Sequence, residues 1–189
     1  MARWAPDARG RLERAALELY GEHGYDATTV AEIAERAGLT ERTFFRYFAD
    51  KREVLFWGAG ALQGFLVDAV DTAPASVAPL EAVVAALEAA ADGIFEGRRE
   101  VAGQRQAIIA AHPELQEREL IKLARLAAAL ADALRRRGVG DPAAGLAAEA
   151  GVAAFRIAFE EWVHDRSGRT LSRCIRTSVE QLRQVTGRP

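Results

Sequence analysis

Apolar side chains recur along this chain every three to four residues, the period of an α-helix packed on one face. Leu12, Ala16, Leu19 and Tyr20 set that pattern over roughly 8–22, and Gly24 ends it. A second segment opens at Thr29 and closes at Gly38, a third runs from Thr40 to near Phe48, and a fourth from Asp50 to about Asp71. Residues 72–79, TAPASVAP, form a proline-marked break. Further helical segments follow over about Pro79–Phe95, Arg98–Ala111, Pro113–Arg137, Pro142–His164 and from Thr170 onward. Helix starts are signalled locally. Thr29-Val30-Ala31-Glu32 reads as a capping box, Asp50 to Glu53 repeats its logic, and Asp141 is placed to cap a helix with Pro142 at its first position. No segment alternates apolar and polar residues with β-branched enrichment, so the expected fold class is all-α, with about nine helices.

Composition narrows the picture. Half of the 189 residues are hydrophobic, enough for a substantial core, and the net charge of −2 excludes a polycation. A single cysteine, Cys174, rules out an intramolecular disulfide and leaves no cysteine-based metal site. The opening residues MARWAPDARGRLER lack the apolar run of a secretory signal, and no continuous apolar run reaches the length of a membrane span. The expectation is a cytoplasmic protein with no membrane partner.

The third segment carries the chemistry. Leu39, Phe44 and Phe48 share one side at helical spacing and are expected to pack on Val30, Ile33 and Ala34 of the second helix and Leu19 of the first. The other side carries Glu41, Arg42, Phe45, Arg46 and Tyr47. An ordinary solvated face has no use for exposed aromatics, whereas arginine reads guanine edges and an aromatic ring meets a thymine methyl. Two short helices joined by a glycine turn, the second with this face, form a helix-turn-helix presenting one helix to a DNA major groove. Residues 1–57 hold nine Lys/Arg against ten Asp/Glu, so DNA binding must rest on segregated charge. Cations at Arg42, Arg46, Lys51 and Arg52 would face DNA, with Glu13, Glu18, Glu22 and Glu35 turned away.

Gly24-Tyr25, Thr29, Ile33-Ala34, Ala37-Gly38, Phe45-Arg46-Tyr47-Phe48 and Lys51 recur at the offsets of a known pattern. Over roughly 8–57 the chain resembles the DNA-binding domain of the tetracycline-repressor (TetR) family of bacterial regulators. The resemblance implies that Thr29, Thr43, Tyr47 and Lys51 clamp phosphates, and that Glu41, Arg42, Phe45 and Arg46 lie nearest the bases. Many family members have tyrosine where this chain has Phe45, so a hydroxyl contact is lost while a thymine-methyl contact survives. An N-terminal arm with Arg3, Arg9 and Arg11 is placed to reach an adjacent groove.

The resemblance further implies two domains: helix-turn-helix over 1–57, and a helical ligand-sensing and dimerisation domain over 58–189. The eighth helix, apolar or small around most of its circumference, supports the dimer on its own account, as does a ninth-helix stripe at Leu171, Ile175, Ser178, Leu182 and Val185. These last two helices from two chains would make a four-helix homodimer interface, with Cys174 packed in it, and would present two recognition helices to a palindromic operator on double-stranded DNA. Ligand-pocket candidates are Phe65, Phe95, Gln104, Arg105, Ile108, Phe155, Phe159 and Trp162. The stretch from Arg105 through AIIAAHPELQERE to Trp162 resembles the sensor domain of TetR regulators that respond to acyl-coenzyme A. That implies an apolar tunnel with a basic mouth at Arg98, Arg99 and Arg105, and a small apolar or acyl-type effector that releases the protein from DNA.

No cofactor is expected. The three histidines, His23, His112 and His164, lie in separate segments, and no nucleophile–histidine set, phosphate-cradling loop or HExxH motif is present, which argues against an enzyme. Glu160 and His164 share a helix face, a spacing that fits a salt bridge better than a metal site. The alternative is a helical lipid- or acyl-binding protein with vestigial DNA binding.

Overall fold

The structure, a computed structural model, describes residues 7–187. Among them are ten α-helices and no strand: α1 (Ala8–His23), α2 (Val30–Arg36), α3 (Glu41–Tyr47), α4 (Lys51–Phe56), α5 (Ala59–Thr72), α6 (Pro79–Ala90), α7 (Arg99–Ala111), α8 (Pro113–Arg136), α9 (Ala143–His164) and α10 (Leu171–Thr186). The extra helix arises because the expected fourth helix is two. Trp57 is extended and Gly58 sits at φ 88°, a left-handed conformation that a glycine adopts without Cβ strain. By length and composition alone Lys51–Thr72 would suit a membrane span, with mean hydropathy 1.2, contrary to the reading of the sequence. Here it is interrupted at that glycine; Val54, Leu55, Leu66 and Val70 are buried in protein cores, while Trp57 and Phe65 are exposed. The Pro79 helix ends in a π-helical turn over Ala91–Phe95.

The chain divides into two compact units. One comprises the described residues through Trp57 together with Gln104–Glu117; the other comprises Gly58–Gly103 and the residues from Arg118 onward. A single cut after residue 57 therefore misses a segment. Ile109 and Leu115 of that segment are 2% and 0% exposed in the same core as Leu12, Ile33, Phe44 and Val54. Periodicity marks Ile109 and Leu115 as core residues but carries no information about which core.

In the second unit α6 packs against α5, α9 and α10, and α9 against α10. Proline at the first position of α6 fits a site whose amide would have no intrahelical acceptor. The core runs from Leu66, Val83 and Leu87 through Leu130 and Leu134 to Ala148, Phe155, Trp162 and Ile175. Cys174 is buried in this intrachain core, not in a subunit interface as expected. Asp141 does not cap α9: both carboxylate oxygens accept from Arg135, each at 2.9 Å, and α9 has no side-chain cap.

The α9–α10 connection is held by one carboxylate. Asp165, with a side chain only 6% exposed, accepts from Ser167 Oγ (2.8 Å), Arg169 N (2.9 Å) and Arg169 Nε (3.0 Å). Arg99 closes the loop by donating to the Asp165 carbonyl at 2.7 Å and to the Arg169 carbonyl, its guanidinium 5.4 Å from the Trp162 ring centroid. The Ser167 hydroxyl foremost, then the Arg169 amide and guanidinium, hold this acid far below the usual carboxylate range against the opposing effect of burial. A depressed folded-state pKa stabilises the fold at pH values above the unfolded-state value, and the contribution is lost as pH falls toward the folded one. Urea-unfolding midpoints should therefore decline as pH drops below about 4, and the decline should be shallower in Asp165→Asn. Equal slopes in the two proteins would refute this assignment.

Candidate nucleic-acid interface

α1 packs against α2, α3 and α4 and forms the base on which the helix-turn-helix is built. The buried Thr28 hydroxyl donates to the carbonyl of Gly24 at 2.8 Å, fixing the loop into α2. Thr29 then forms the anticipated capping box: the Glu32 amide donates to the Thr29 hydroxyl at 3.2 Å, and the Thr29 amide to the Glu32 carboxylate at 2.7 Å. The Thr29 amide, and after it the Thr29 hydroxyl at 2.8 Å, donate to the Glu32 carboxylate and hold it below its ordinary pKa. The turn to α3 needs Gly38 at φ 63°. Arg11 lies in α1 and spans this turn, donating Nε to the Ala37 carbonyl at 2.9 Å and Nη2 to that of Gly38 at 3.1 Å. The cation compensates the carbonyl end of α2, so Arg11 is a brace of the turn and not part of an arm.

α3 is capped by Thr40, whose hydroxyl accepts from the Thr43 amide at 3.2 Å; the Thr43 hydroxyl lies 3.1 Å from the same oxygen. Phe44 and Phe48 are buried and hold the helix down. Glu41, Arg42 and Arg46 are exposed. Phe45 is 54% exposed with its ring edge-on to Phe44, centroids 5.5 Å apart at 82°. A large apolar side chain standing out of a firmly packed helix costs hydration unless something covers it. Tyr47 is half-buried, its hydroxyl accepting from Arg46 Nη2 at 3.2 Å. The Arg9 guanidinium lies 5.3 Å from the Tyr47 ring centroid and 5.4 Å from that of Trp57. Sequence reading missed this aromatic–cation stack and assigned Arg9 to an arm; the 3.6-residue period of α1, which puts Arg9 on the same helix as Leu12 and Ala16, was the available signal. Arg3 lies outside the described residues.

Lys51 is differently engaged from the phosphate role implied by resemblance. Its ammonium donates to the carbonyls of Tyr25 (2.7 Å), Asp26 (3.1 Å) and Thr28 (3.0 Å), which uses every N–H it has. The Tyr20 hydroxyl donates to the Lys51 carbonyl at 2.8 Å. Arg52 is bound by Asp50 at 2.6 Å, and Arg36 by Glu22 at 2.7 Å with Glu18 at 3.6 Å. Charge segregation thus comes from internal pairing of Arg36 and Arg52, leaving Arg42 and Arg46 on the outer face of α3.

The ligand candidates are divided between the two units. Phe95, Phe155, Phe159 and Trp162 form an aromatic cluster in the second unit, with ring centroids 5.6–6.3 Å apart. Phe95 enters it from the π-helical turn. Phe65 is 41% exposed on α5. Gln104, Arg105 and Ile108 belong to the first unit. Arg105 donates to the Leu55 carbonyl and lies 5.3 Å from the Phe56 ring centroid, and Ile108 packs on the helix-turn-helix core. Of the cations expected at a basic mouth, Arg99 donates to the Asp165 carbonyl, Arg105 donates to the Leu55 carbonyl and Arg98 is exposed.

The chain is similar to known proteins over both units. Residues 13–56 match the family described as bacterial regulatory proteins, tetR family, and residues 77–187 match the MftR C-terminal domain. The chain is 39% identical over 92 residues to the HTH-type transcriptional regulator TcmR of Streptomyces glaucescens, a match covering 49% of this chain and 41% of TcmR. It is 40% identical over 62 residues to MftR of Mycobacterium tuberculosis, covering 30% of each. The matched stretches span less than half of these relatives. Among solved structures, Thermus thermophilus FadR in complex with lauroyl-CoA aligns over 96% of both chains with a TM-score of 0.55 at 23% identity. A transcriptional regulator from Pseudomonas aeruginosa PAO1 aligns over 97% of this chain and 93% of its own, with a TM-score of 0.67 at 18% identity. At those identities the likeness concerns the fold.

Proposed function

The chain belongs to the tetR family of bacterial regulatory proteins, and from that premise we propose that it is a homodimeric transcriptional repressor released from a palindromic operator by a small apolar or acyl-type effector. One observation carries the DNA half of this reading: α3 is anchored by Phe44 and Phe48 and turns Arg42, Phe45 and Arg46 outward. A protein with vestigial DNA binding has no need to keep that face. Glu41, Arg42 and Arg46 are assigned to base edges, Phe45 to a thymine methyl, and Thr29, Thr43 and Tyr47 to phosphates. Lys51 acts as an internal strut.

Dimerisation is assigned chiefly to α9. Its outward side presents Leu146 (66% exposed), Ala150, Ala153 and Ile157 (49% exposed) at helical spacing. The α10 stripe foreseen for the same interface is mostly consumed inside the chain: Leu171, Ile175 and Ser178 are buried, and only Val185 stands well out. The outer face of α10 instead carries Arg173, Arg176, Glu180 and Arg183.

For the effector, the aromatic cluster of Phe95, Phe155, Phe159 and Trp162 favours an apolar or planar group. FadR of Thermus thermophilus holds lauroyl-CoA, and the acyl chain is the part of such a ligand that this cluster suits. Insertion of such a group among these rings would shift the population toward a state with lower DNA affinity, by a coupling of about 1–3 kcal/mol. The regulator acts in the cytoplasm, where the operator is.

Selection of bound duplexes from a random pool tests the core reading. An enriched palindrome bound in a salt-dependent manner, weakened by Arg42→Ala, is expected. Absence of enrichment at low salt refutes it. Once a site is known, deoxyuridine can replace each thymidine in turn. One substitution per half-site should weaken binding about 5-fold or more in the wild type and leave Phe45→Ala unaffected, since only the methyl is removed. Equal losses in both proteins would remove Phe45 from base reading.

A further inference from the structure

Tyr25 is a meeting point. It lies in the loop between α1 and α2, is 5% exposed, and burial pushes its phenol up to about 12. Three elements converge on its ring. Tyr20 of α1 approaches edge-on with centroids 5.2 Å apart, Lys51 of α4 places its ammonium 4.5 Å from the centroid, and the His112 ring stands 4.8 Å away at 61°. His112 is the corner residue between α7 and α8. Its Nδ1 lies 2.8 Å from the Ile108 carbonyl, its Nε2 3.7 Å from the Asp26 carboxylate, and its side chain is 19% exposed. Its backbone carbonyl accepts from the amides of Leu115 and Gln116, each at 3.0 Å, which starts α8.

The loop over 24–28 is thus gripped from two sides. Lys51 binds three of its carbonyls, and His112 covers its one aromatic ring and faces its Asp26. This loop sets where α2 begins, and α2 sets α3 through the Gly38 turn. On either side of the corner, Ile109 and Leu115 are buried in the core that supports α3. α7 and α8 continue beyond Gln104 and Glu117 into the chain of the other unit.

We propose that the α7–α8 corner is a working part of the DNA-reading unit, and that His112 is a positioning residue for operator binding, acting through Tyr25 and the 24–28 loop without touching DNA. The inference rests on the regulator reading above. Within this unit the corner meets the loop ahead of α2 through His112, at the Tyr25 ring and the Asp26 carboxylate.

The experiment compares wild type, His112→Ala and His112→Phe in titrations of the selected palindromic duplex across a salt series, at a temperature where melting curves show each to be folded. His112→Ala should weaken binding about fivefold or more, at the low end of typical coupling between sites. The slope of log affinity against log salt should not change, because no phosphate contact is lost. His112→Phe, which keeps an edge-on ring against Tyr25, should recover most of the affinity. If His112→Ala does not fold, His112→Gln removes the ring alone and supplies the same comparison. Unaltered affinity in the ringless variant, a shallower salt slope, or no recovery in His112→Phe would each overturn the proposal. Failure of the wild type to bind any duplex would overturn the regulator reading, and this inference with it.

Discussion

Replacing Ile157 by arginine is expected to turn the protein into a monomer and to weaken operator binding about 100-fold or more. Ile157 is 49% exposed and sits in line with Ala153, Ala150 and Leu146 on the outer side of α9. Alanines between two large aliphatics let a second helix approach closely, and the aliphatics then bury most of their exposed area. Arginine at that place puts a charge where two copies of the same surface must meet, and the two-fold relation places it in the interface twice. A dimer binds its second half-site as an intramolecular event, an advantage of about 10²–10⁴ that a monomer forfeits without losing any DNA contact of its own. Sedimentation and duplex titration check the two halves separately. The variant should sediment as a monomer with an unaltered helical spectrum and bind an isolated half-site as the wild type does. A variant that remains dimeric would move the interface away from this face of α9.

The second large effect is expected at Gly151. A Cβ added there would clash with Val83 Cγ1 and lie 3.9 Å from Leu87 Cδ1, so α6 and α9 touch where the glycine stands. Val83 cannot simply turn aside, because a β-branched side chain in a helix has essentially one rotamer. Gly151→Ala should therefore force the helices apart and cost about 1–3 kcal/mol despite alanine's better helix propensity. For a chain of this size that corresponds to a fall in Tm of roughly 2–4 °C per kcal/mol. Val83→Ala alone opens a void and also destabilises, yet the double variant should lose less than the sum of the two, since each change makes room for the other. Strict additivity would show that the two residues are not in contact.

Much of this was legible in advance where the determinants are local. The capping box at Thr29–Glu32 and the turn at Gly38 each depend on residues within four of one another. The inward side of α3, Phe44 and Phe48, follows from the same short spacing, and so does the outward display of Arg42, Phe45 and Arg46. Residues 13–56, which contain this pattern, match the tetR family of bacterial regulatory proteins. What was misjudged involved partners far apart in the chain. The resemblance gives Lys51 to a phosphate, whereas in the fold its ammonium donates to the Tyr25, Asp26 and Thr28 carbonyls, more than twenty residues earlier. Arg11, Arg99 and Arg105 share that history, each bound to a carbonyl at least 26 residues away.

The sequence by itself determined that the chain is all helical, where nearly every helix begins and ends, and which face of α3 points outward, because hydrogen bonds, caps and side-chain periodicity act over one or two turns. Only the tertiary structure decided that 104–117 joins the helix-turn-helix core, that Leu171, Ile175 and Ser178 of the α10 stripe are buried within their own chain, and that Arg11, Lys51, Arg99 and Arg105 bind distant backbone carbonyls. A buried aliphatic or a long cation is satisfied by any surface of suitable chemistry, and which one it meets depends on how helices distant in sequence pack.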